Sequence, residues 1–476
     1  MTGPPGEGDA ADPGSFRDPL SRVFIVDGEV YRGLTAAGAE DLAAARTTGA
    51  LAALEDEHKV VATRVLTTEE RRSLDLGDEW AEVVHHRRIT PISYPFEWSF
   101  GMLRDAAVLQ IEVARRLLGD GCITKDATPY NVQFDGARPV FIDVGSFERL
   151  RAGEPWPGYR QFCELFLNPL VVQAVGGIPF QPWLRGSLEG IHPAEVAALI
   201  RGRKRLDRRL AVHVSLHARA ERRYADHDAD GSRLDVEMTR AGFGPKVLDA
   251  QLDNLQKTVE SLRWDVDEST WSDYGDRSHY TDGDLAAKEA FVSRTVAQQR
   301  PATVLDLGAN DGRFSQLAVD AGARSAVAVD SDHLVVDRLY RRLRSAAEHR
   351  ILPLVLDLAD PSPGLGWRGR ERPPFVERVR PDLVLALAVV HHLALSNTVP
   401  FRQIVDLLAD FGAPLVVELP HRDDPMAARL LARKRDGLFD HYTREGWELA
   451  LRRRFDVAES ETLPSGTRTL YRCTLR

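Results

Sequence analysis

Hydrophobic and polar positions alternate with different periods in different parts of the chain. Residues 1–20 combine Pro, Gly and acidic side chains with little to bury, and read as a disordered tail. Val23-Phe24-Ile25-Val26 and Glu29-Val30-Tyr31 then flank Asp27-Gly28, the pattern of a two-residue hairpin. A helix is predicted over 35–55, with strands over 59–66 and 81–89, the latter interrupted by polar His85-His86-Arg87-Arg88. From Met102 to Leu118 the apolar residues fall on one helical face (Leu103, Ala107, Ile111, Ala114, Leu118), with Gly119 as the expected C-cap. Strands over 131–134 and 139–143 flank a turn at Asp135-Gly136. Residues 157–220 read as mostly helical and end in Arg201–Arg209, an amphipathic stretch with a solvated basic face.

Residues 226–233 have linker composition, and a helix over 246–262 bridges to the second half. From Ala302 onward short apolar runs alternate with helical patterns, as in an α/β domain with a parallel sheet. The strands predicted there are 302–307, 325–330, 352–356, 382–388, 414–418, 456–462 and 467–474. The expected organisation is therefore a tail (1–20), an α+β domain (21–225), a linker with its bridging helix (226–268), and an α/β domain (269–476).

Composition narrows the classes of function. The 476 residues include 62 Lys+Arg and 71 Asp+Glu, a net charge of −9 that speaks against bulk nucleic-acid binding. With 43% hydrophobic residues the chain can build sizeable cores. Cys122, Cys163 and Cys473 are too far apart in sequence for a disulfide framework or zinc spacing. The longest apolar run, Leu383–Val390, is too short to cross a membrane, and Met1–Phe16 lacks a signal-peptide core. A cytoplasmic protein without nucleic-acid or membrane partners is expected. Its oligomeric state is not written in the sequence.

The most specific stretch is Val304-Leu305-Asp306-Leu307-Gly308-Ala309-Asn310-Asp311-Gly312, a buried strand entering a Gly-rich turn and then a helix. Glycines let backbone approach a ligand closely, and a helix start offers unpaired N–H groups. The next strand ends at Asp330, where a carboxylate can accept both ribose hydroxyls. A third ends at Leu356-Asp357, suited to an exocyclic amine of a base. A fourth runs into His391-His392 at the carboxyl edge of the sheet. A dinucleotide fingerprint would need G-x-G-x-x-G, and Gly308–Arg313 does not supply it.

This pattern resembles motif I of class I S-adenosylmethionine-dependent methyltransferases, D-x-G-x-x-x-G, over roughly the last 200 residues. The resemblance implies a Rossmann-like seven-stranded sheet closed by an antiparallel hairpin around Pro464-Ser465-Gly466. It implies S-adenosylmethionine as cofactor, with a binding site made of Asp306, Gly308, Asn310, Gly312, Asp330, Asp357, Leu358 and Ala388. It further implies that Trp271, Tyr274, His279, Tyr280 and Lys288 belong to a segment folding over the cofactor, the aromatics suited to stacking and the Lys to pairing with a carboxylate; packing of one domain on the other is the alternative. An acceptor that loses a proton needs a base, and His391, His392 and His421 are the candidates. The resemblance favours His391 and His392, of which only one is expected to be catalytic. Glu418, closing the fifth strand, is a further acceptor-facing candidate.

In the first half, Asp126 and Asn131 are separated by four residues and followed by Asp143-Val144-Gly145 after a short hairpin. This arrangement resembles the catalytic loop of kinases. The resemblance implies a kinase-like α+β domain, with Asp126 orienting an acceptor hydroxyl and Asn131 and Asp143 holding Mg²⁺ on ATP. It departs from the pattern at Thr124, where a His is usual, and in having no glycine-rich phosphate loop over 20–60. Lys59 is the single candidate phosphate-pairing lysine, and Glu97 is an acid without an assigned place. Taken in this order, the two halves resemble a nodulation-protein-like family of bacterial methyltransferases, from about Ser93 to the C-terminus.

The expectation is thus a methyltransferase whose N-terminal domain presents a small-molecule or biosynthetic-intermediate acceptor. The alternatives are a bifunctional enzyme that also transfers phosphate, and a non-catalytic scaffold that binds S-adenosylmethionine.

Overall fold

A computed structural model describes residues 11–151, 153–200, 244–266 and 281–476. The Arg201–Arg209 run, the 226–233 linker and Trp271–Tyr280 lie outside the described residues. The chain begins with β1 (Ser21–Val26) and β2 (Glu29–Leu34), paired antiparallel. Their turn places both Asp27 (φ 50°) and Gly28 (φ 83°) in the left-handed region, as a tight hairpin turn requires. β3 (Thr63–Val65) and β4 (Glu82–His86) complete a four-stranded sheet in the order β1-β2-β4-β3.

Residues 11–20 do not form the loose tail expected from their composition. Asp12 donates its N–H to the carbonyl of Val23 at 2.9 Å, and Asp18 pairs with Lys125 at 3.2 Å. Arg17 reaches Glu371 in the C-terminal half at 2.8 Å. The helix predicted over 35–55 is two helices, Ala36–Ala45, capped by Arg46, and Ala50–Asp56, before which Gly49 turns the chain at φ 89°.

The helix Phe100–Leu118 is the axis of this half. Ser99 caps its start, accepting the N–H of Met102, and most of its residues are buried. Gly119 is not a left-handed cap (φ −58°); Gly121 makes that turn instead, at φ 70°. The bridging helix Pro245–Ser261 lies on it, with Arg115 donating to Asp249 and Gln256. Two short ladders, β5 (Cys122–Thr124) with β8 (Phe147–Arg149) and β6 (Val132–Asp135) with β7 (Arg138–Phe141), carry the 126–143 segment.

The C-terminal half is a seven-stranded sheet in the order β11-β10-β9-β12-β13-β15-β14. Its strands are β9 (Thr303–Leu307), β10 (Ser325–Asp330), β11 (Ile351–Val355), β12 (Leu383–Ala386), β13 (Leu415–Pro420), β14 (Phe455–Thr462) and β15 (Arg468–Leu475). All central pairings are parallel, and β15 alone enters antiparallel between β13 and β14. Strand order reverses between β9 and β12, at whose carboxyl ends open α/β sheets place their ligands.

The two halves are joined by buried polar contacts. Asp337, on the helix His333–Ser345 that follows β10, accepts the N–H of Gly101 at 2.6 Å. It thereby serves one of the orphan donors at the start of Phe100–Leu118. Tyr340 donates to Asp105 at 2.8 Å, and its ring meets Phe134 edge-on. Glu97, fully buried, pairs with Arg378, whose guanidinium also covers the Tyr94 ring. The N-terminal half is therefore fastened to the element that begins where Asp330 ends.

Candidate functional site

A cavity of about 350 Å³ opens at the carboxyl ends of β9, β10, β11 and β12. Of the residues singled out in the sequence, Lys288, Asp306, Gly308, Asn310, Asp330, Asp357, Leu358, Ala388 and His392 line it together. Gly312 does not. It starts the helix Arg313–Asp320 in a left-handed conformation (φ 75°), where any Cβ would run into Leu339. Gly308 (φ 73°) is likewise confined, since a Cβ there would lie 2.4 Å from Val389. Two non-glycine residues on the cavity wall, Asn310 (φ 49°) and Ala388 (φ 57°), are also left-handed. Such conformations cost on the order of 1 kcal/mol each and collect where a ligand needs the backbone bent.

Asp330 holds the site's geometry. One carboxylate oxygen accepts the N–H of Asn310 and the other that of Asp332, each at 2.9 Å. This ties the Gly-rich turn to the end of β10. Burial nevertheless raises its pKa, outweighing these hydrogen bonds. Asp357 accepts the N–H of Ala359 at 2.8 Å, a local turn and not the start of a helix.

Asp306 is buried behind the turn and accepts the hydroxyl of Ser315 at 2.7 Å. Burial pushes it up to about 6, against the lowering effects of Ser315 and Lys288. An acid raised in this way stabilises the fold fully below the unfolded value near 4, and that contribution is lost as pH rises through 6. A cationic ligand favours the carboxylate and so reverses the preference. Such a ligand is expected to bind about tenfold more weakly at pH 5 than at pH 7.5, and to release protons on binding near pH 6. Calorimetry in two buffers of different ionisation enthalpy checks this; pH-independent binding would refute it.

At the mouth, His392 starts a helical turn, His392–Ser396, that also brings Ser396 and Asn397 to the cavity. His391 is buried (1% exposed) and packs its ring 4.0 Å from that of His392. His391 does not line the cavity. His421 bonds Thr469 at 2.9 Å, away from the lining. Glu418 does not face the mouth either. It is fully buried and paired with Lys288 at 2.6 Å and Arg468 at 3.1 Å.

In the N-terminal half, Asp143 pairs with Arg32 of β2 at 2.7 Å. Burial raises the Asp126 carboxyl, and the nearby charge of Asp143 adds to the rise. Asn131 is buried, with its side-chain nitrogen making no hydrogen bond. Lys59 lies with Glu57 and Glu112, at 2.7 and 2.6 Å. Among the described residues no cluster of three or more His, Cys, Asp or Glu is arranged around a metal position. A second hollow of about 570 Å³ lies on the β3–β4 side, where His85 contacts Glu29 and Arg87 pairs with Asp135.

Residues 278–455 match a methyltransferase-domain family. Nodulation protein NoeA of Rhizobium meliloti (strain 1021) is 35% identical over 460 residues, covering 96% of this chain and 94% of NoeA. Solved structures similar over part of the chain include N-methyltransferase NodS from Bradyrhizobium japonicum WM9 in complex with S-adenosyl-l-homocysteine. It is 13% identical, with 44% of this chain and 99% of NodS covered, at a TM-score of 0.30. Another is magnesium protoporphyrin IX methyltransferase from Synechocystis PCC 6803, 17% identical, with 43% and 92% covered, at a TM-score of 0.29. The chain belongs to the family of nodulation protein NoeA and is an S-adenosylmethionine-dependent methyltransferase.

Proposed function

We propose that the enzyme methylates a small molecule or biosynthetic intermediate carrying a protonated oxygen or nitrogen, with His392 as the base. The reading is carried by one observation: His392, Ser396 and Asn397 come to the cavity together beyond the Gly-rich turn. The methyl donor is already activated as a sulfonium, so the residues' work is to align an in-line displacement and take one proton. Asp330 would hold the ribose, and Asp357 with Leu358 the adenine. The turn Gly308–Gly312 would carry the methionine end. Residues 21–225 act in this proposal as the acceptor-presenting domain, joined through 226–268 to the catalytic domain 269–476. We place the reaction in the cytoplasm, which the buried thiols of Cys122, Cys163 and Cys473 suit.

The test is transfer of a labelled methyl group to fractions of an extract from the native organism, with mass spectrometry of the product. His392→Ala is expected to lower kcat about 100-fold, within the usual range for a lost general base, with cofactor affinity unchanged. An unchanged kcat would remove His392 from this role.

A second reading adds ATP-dependent phosphotransfer by residues 21–225. It is favoured by the closeness of Asp126 to Asp143, whose charge adds to the rise of the Asp126 carboxyl. Asn131 and Asp143 would hold Mg²⁺, and Asp126 would orient the acceptor hydroxyl. The Arg32–Asp143 pair competes with that metal, and Lys59 is committed to Glu57 and Glu112. Absence of Mg²⁺-dependent ATP binding by the full chain rejects this reading.

A further inference from the structure

Among the described residues that line the cofactor cavity, Lys288 is the one with a cationic side chain, facing the acids Asp306, Asp330 and Asp357. The cofactor has the complementary inventory. Its sulfonium and ammonium are cationic, its ribose hydroxyls and adenine amine are donors, and its single anion is the methionine carboxylate. Lys288 comes from the helix Asp282–Gln299, and its Nζ lies 4.7 Å from the centre of the Phe314 ring, which lines the same cavity.

Behind Lys288 runs a chain of buried charges. Its ammonium lies 2.6 Å from one oxygen of Glu418, whose other oxygen is 3.1 Å from Arg468. Arg468 in turn makes two bonds, of 2.6 and 3.0 Å, to Asp424. The side chains are at most 4% exposed. Two cations and two carboxylates in series leave no net charge, which offsets the cost of burying any one of them. Arg468 shares Glu418 with Lys288, so Glu418 does not cancel the ammonium by itself. A lysine has three N–H donors on a flexible stem, and a fixed carboxylate removes that freedom before the ligand arrives.

We propose that Lys288 binds the carboxylate of the cofactor, and that Glu418, Arg468 and Asp424 are positioning residues that fix its ammonium at the cavity wall. The inference deepens the cofactor-site reading and rests on it. It explains why a buried ion chain spanning β13, β15 and a helix ahead of the sheet ends at the cavity.

The experiment is calorimetric titration of the full chain with two nucleosides, S-adenosylhomocysteine and its decarboxylated aminopropyl analogue, which keeps the amine and lacks the carboxylate. The unmodified enzyme is expected to prefer S-adenosylhomocysteine by more than about tenfold, the scale of one charge-assisted hydrogen-bonded pair. Lys288→Met should erase that preference while changing affinity for the analogue less than about threefold. Glu418→Gln, which keeps the shape, should reduce it several-fold. Equal affinities in the unmodified enzyme overturn the proposal whatever the variants do. So does a Lys288→Met variant that weakens both nucleosides alike, and an unaltered preference in Glu418→Gln overturns the positioning role. If neither nucleoside binds the unmodified enzyme, the cofactor-site reading fails together with the proposal.

Discussion

Replacing Asp330 by Ala is expected to reduce affinity for S-adenosylhomocysteine at least 100-fold while leaving the fold standing. The carboxylate closes β10, lines the cavity, and is the acceptor that bridges Asn310 and Asp332. Its loss removes both the ribose acceptor and the tie that holds the Gly-rich turn against the strand. Hydrogen bonds to a charged group contribute about 1.5–3 kcal/mol each, so two to the ribose reach the expected loss. Stability should respond little, because burial already disfavours the ionised form of Asp330, as its raised pKa records. Removing the group takes away two backbone hydrogen bonds and one desolvated charge together. Thermal unfolding within a few degrees of the unmodified protein, beside a flat titration, is the predicted pair of results. Retained affinity would mean that the ribose lies elsewhere.

Arg468→Ala is expected to act on the fold first. Arg468 is 1% exposed and compensates two fully buried carboxylates, Glu418 and Asp424. Breaking a buried pair by removing one partner costs about 3–5 kcal/mol, because a desolvated charge is left behind. At about 2–4 °C per kcal/mol for a domain of this size, Tm should fall by roughly 10 °C. Adding Asp424→Asn should recover part of the loss, since one uncompensated charge goes with it, and the non-additivity measures the pair. A single variant within about 1 kcal/mol of the unmodified protein would show that the chain of charges does not stabilise the fold.

The C-terminal sheet was legible because each strand is a short apolar run ended by Gly, Asp or Pro. β9 to β15 all fall within two residues of the expected limits, with β12 ending two residues early and β13 two residues late. Asp306, Gly308, Asn310 and Asp330 sit where local sequence already put them, at strand ends. The N-terminal half was harder to read because its pairings are long-range. Residues 59–66 read as one strand, yet only Thr63–Val65 pair within the sheet, while Lys59 and Val61 exchange backbone hydrogen bonds with Phe141. Residues 11–20 look unstructured by composition and gain order from partners as distant as Glu371. The link between Lys288 and Glu418 spans 130 residues, and that between Glu418 and Arg468 spans 50. No local pattern announces such a chain; an isolated Lys before the first strand and an acid inside an apolar run were its traces. Ser396 and Asn397 carried no signal, because the residues after β12 continue as a helical turn and not as extended chain.

The most direct test of the cofactor site is a crystal structure of the enzyme with S-adenosylhomocysteine. The ribose hydroxyls are expected on Asp330, the adenine beside Asp357 and Leu358, and the thioether sulfur facing His392 and Asn397. Electron density for the nucleoside outside this cavity would place the cofactor elsewhere, and density in it with the sulfur turned away from His392 would remove His392 as the base.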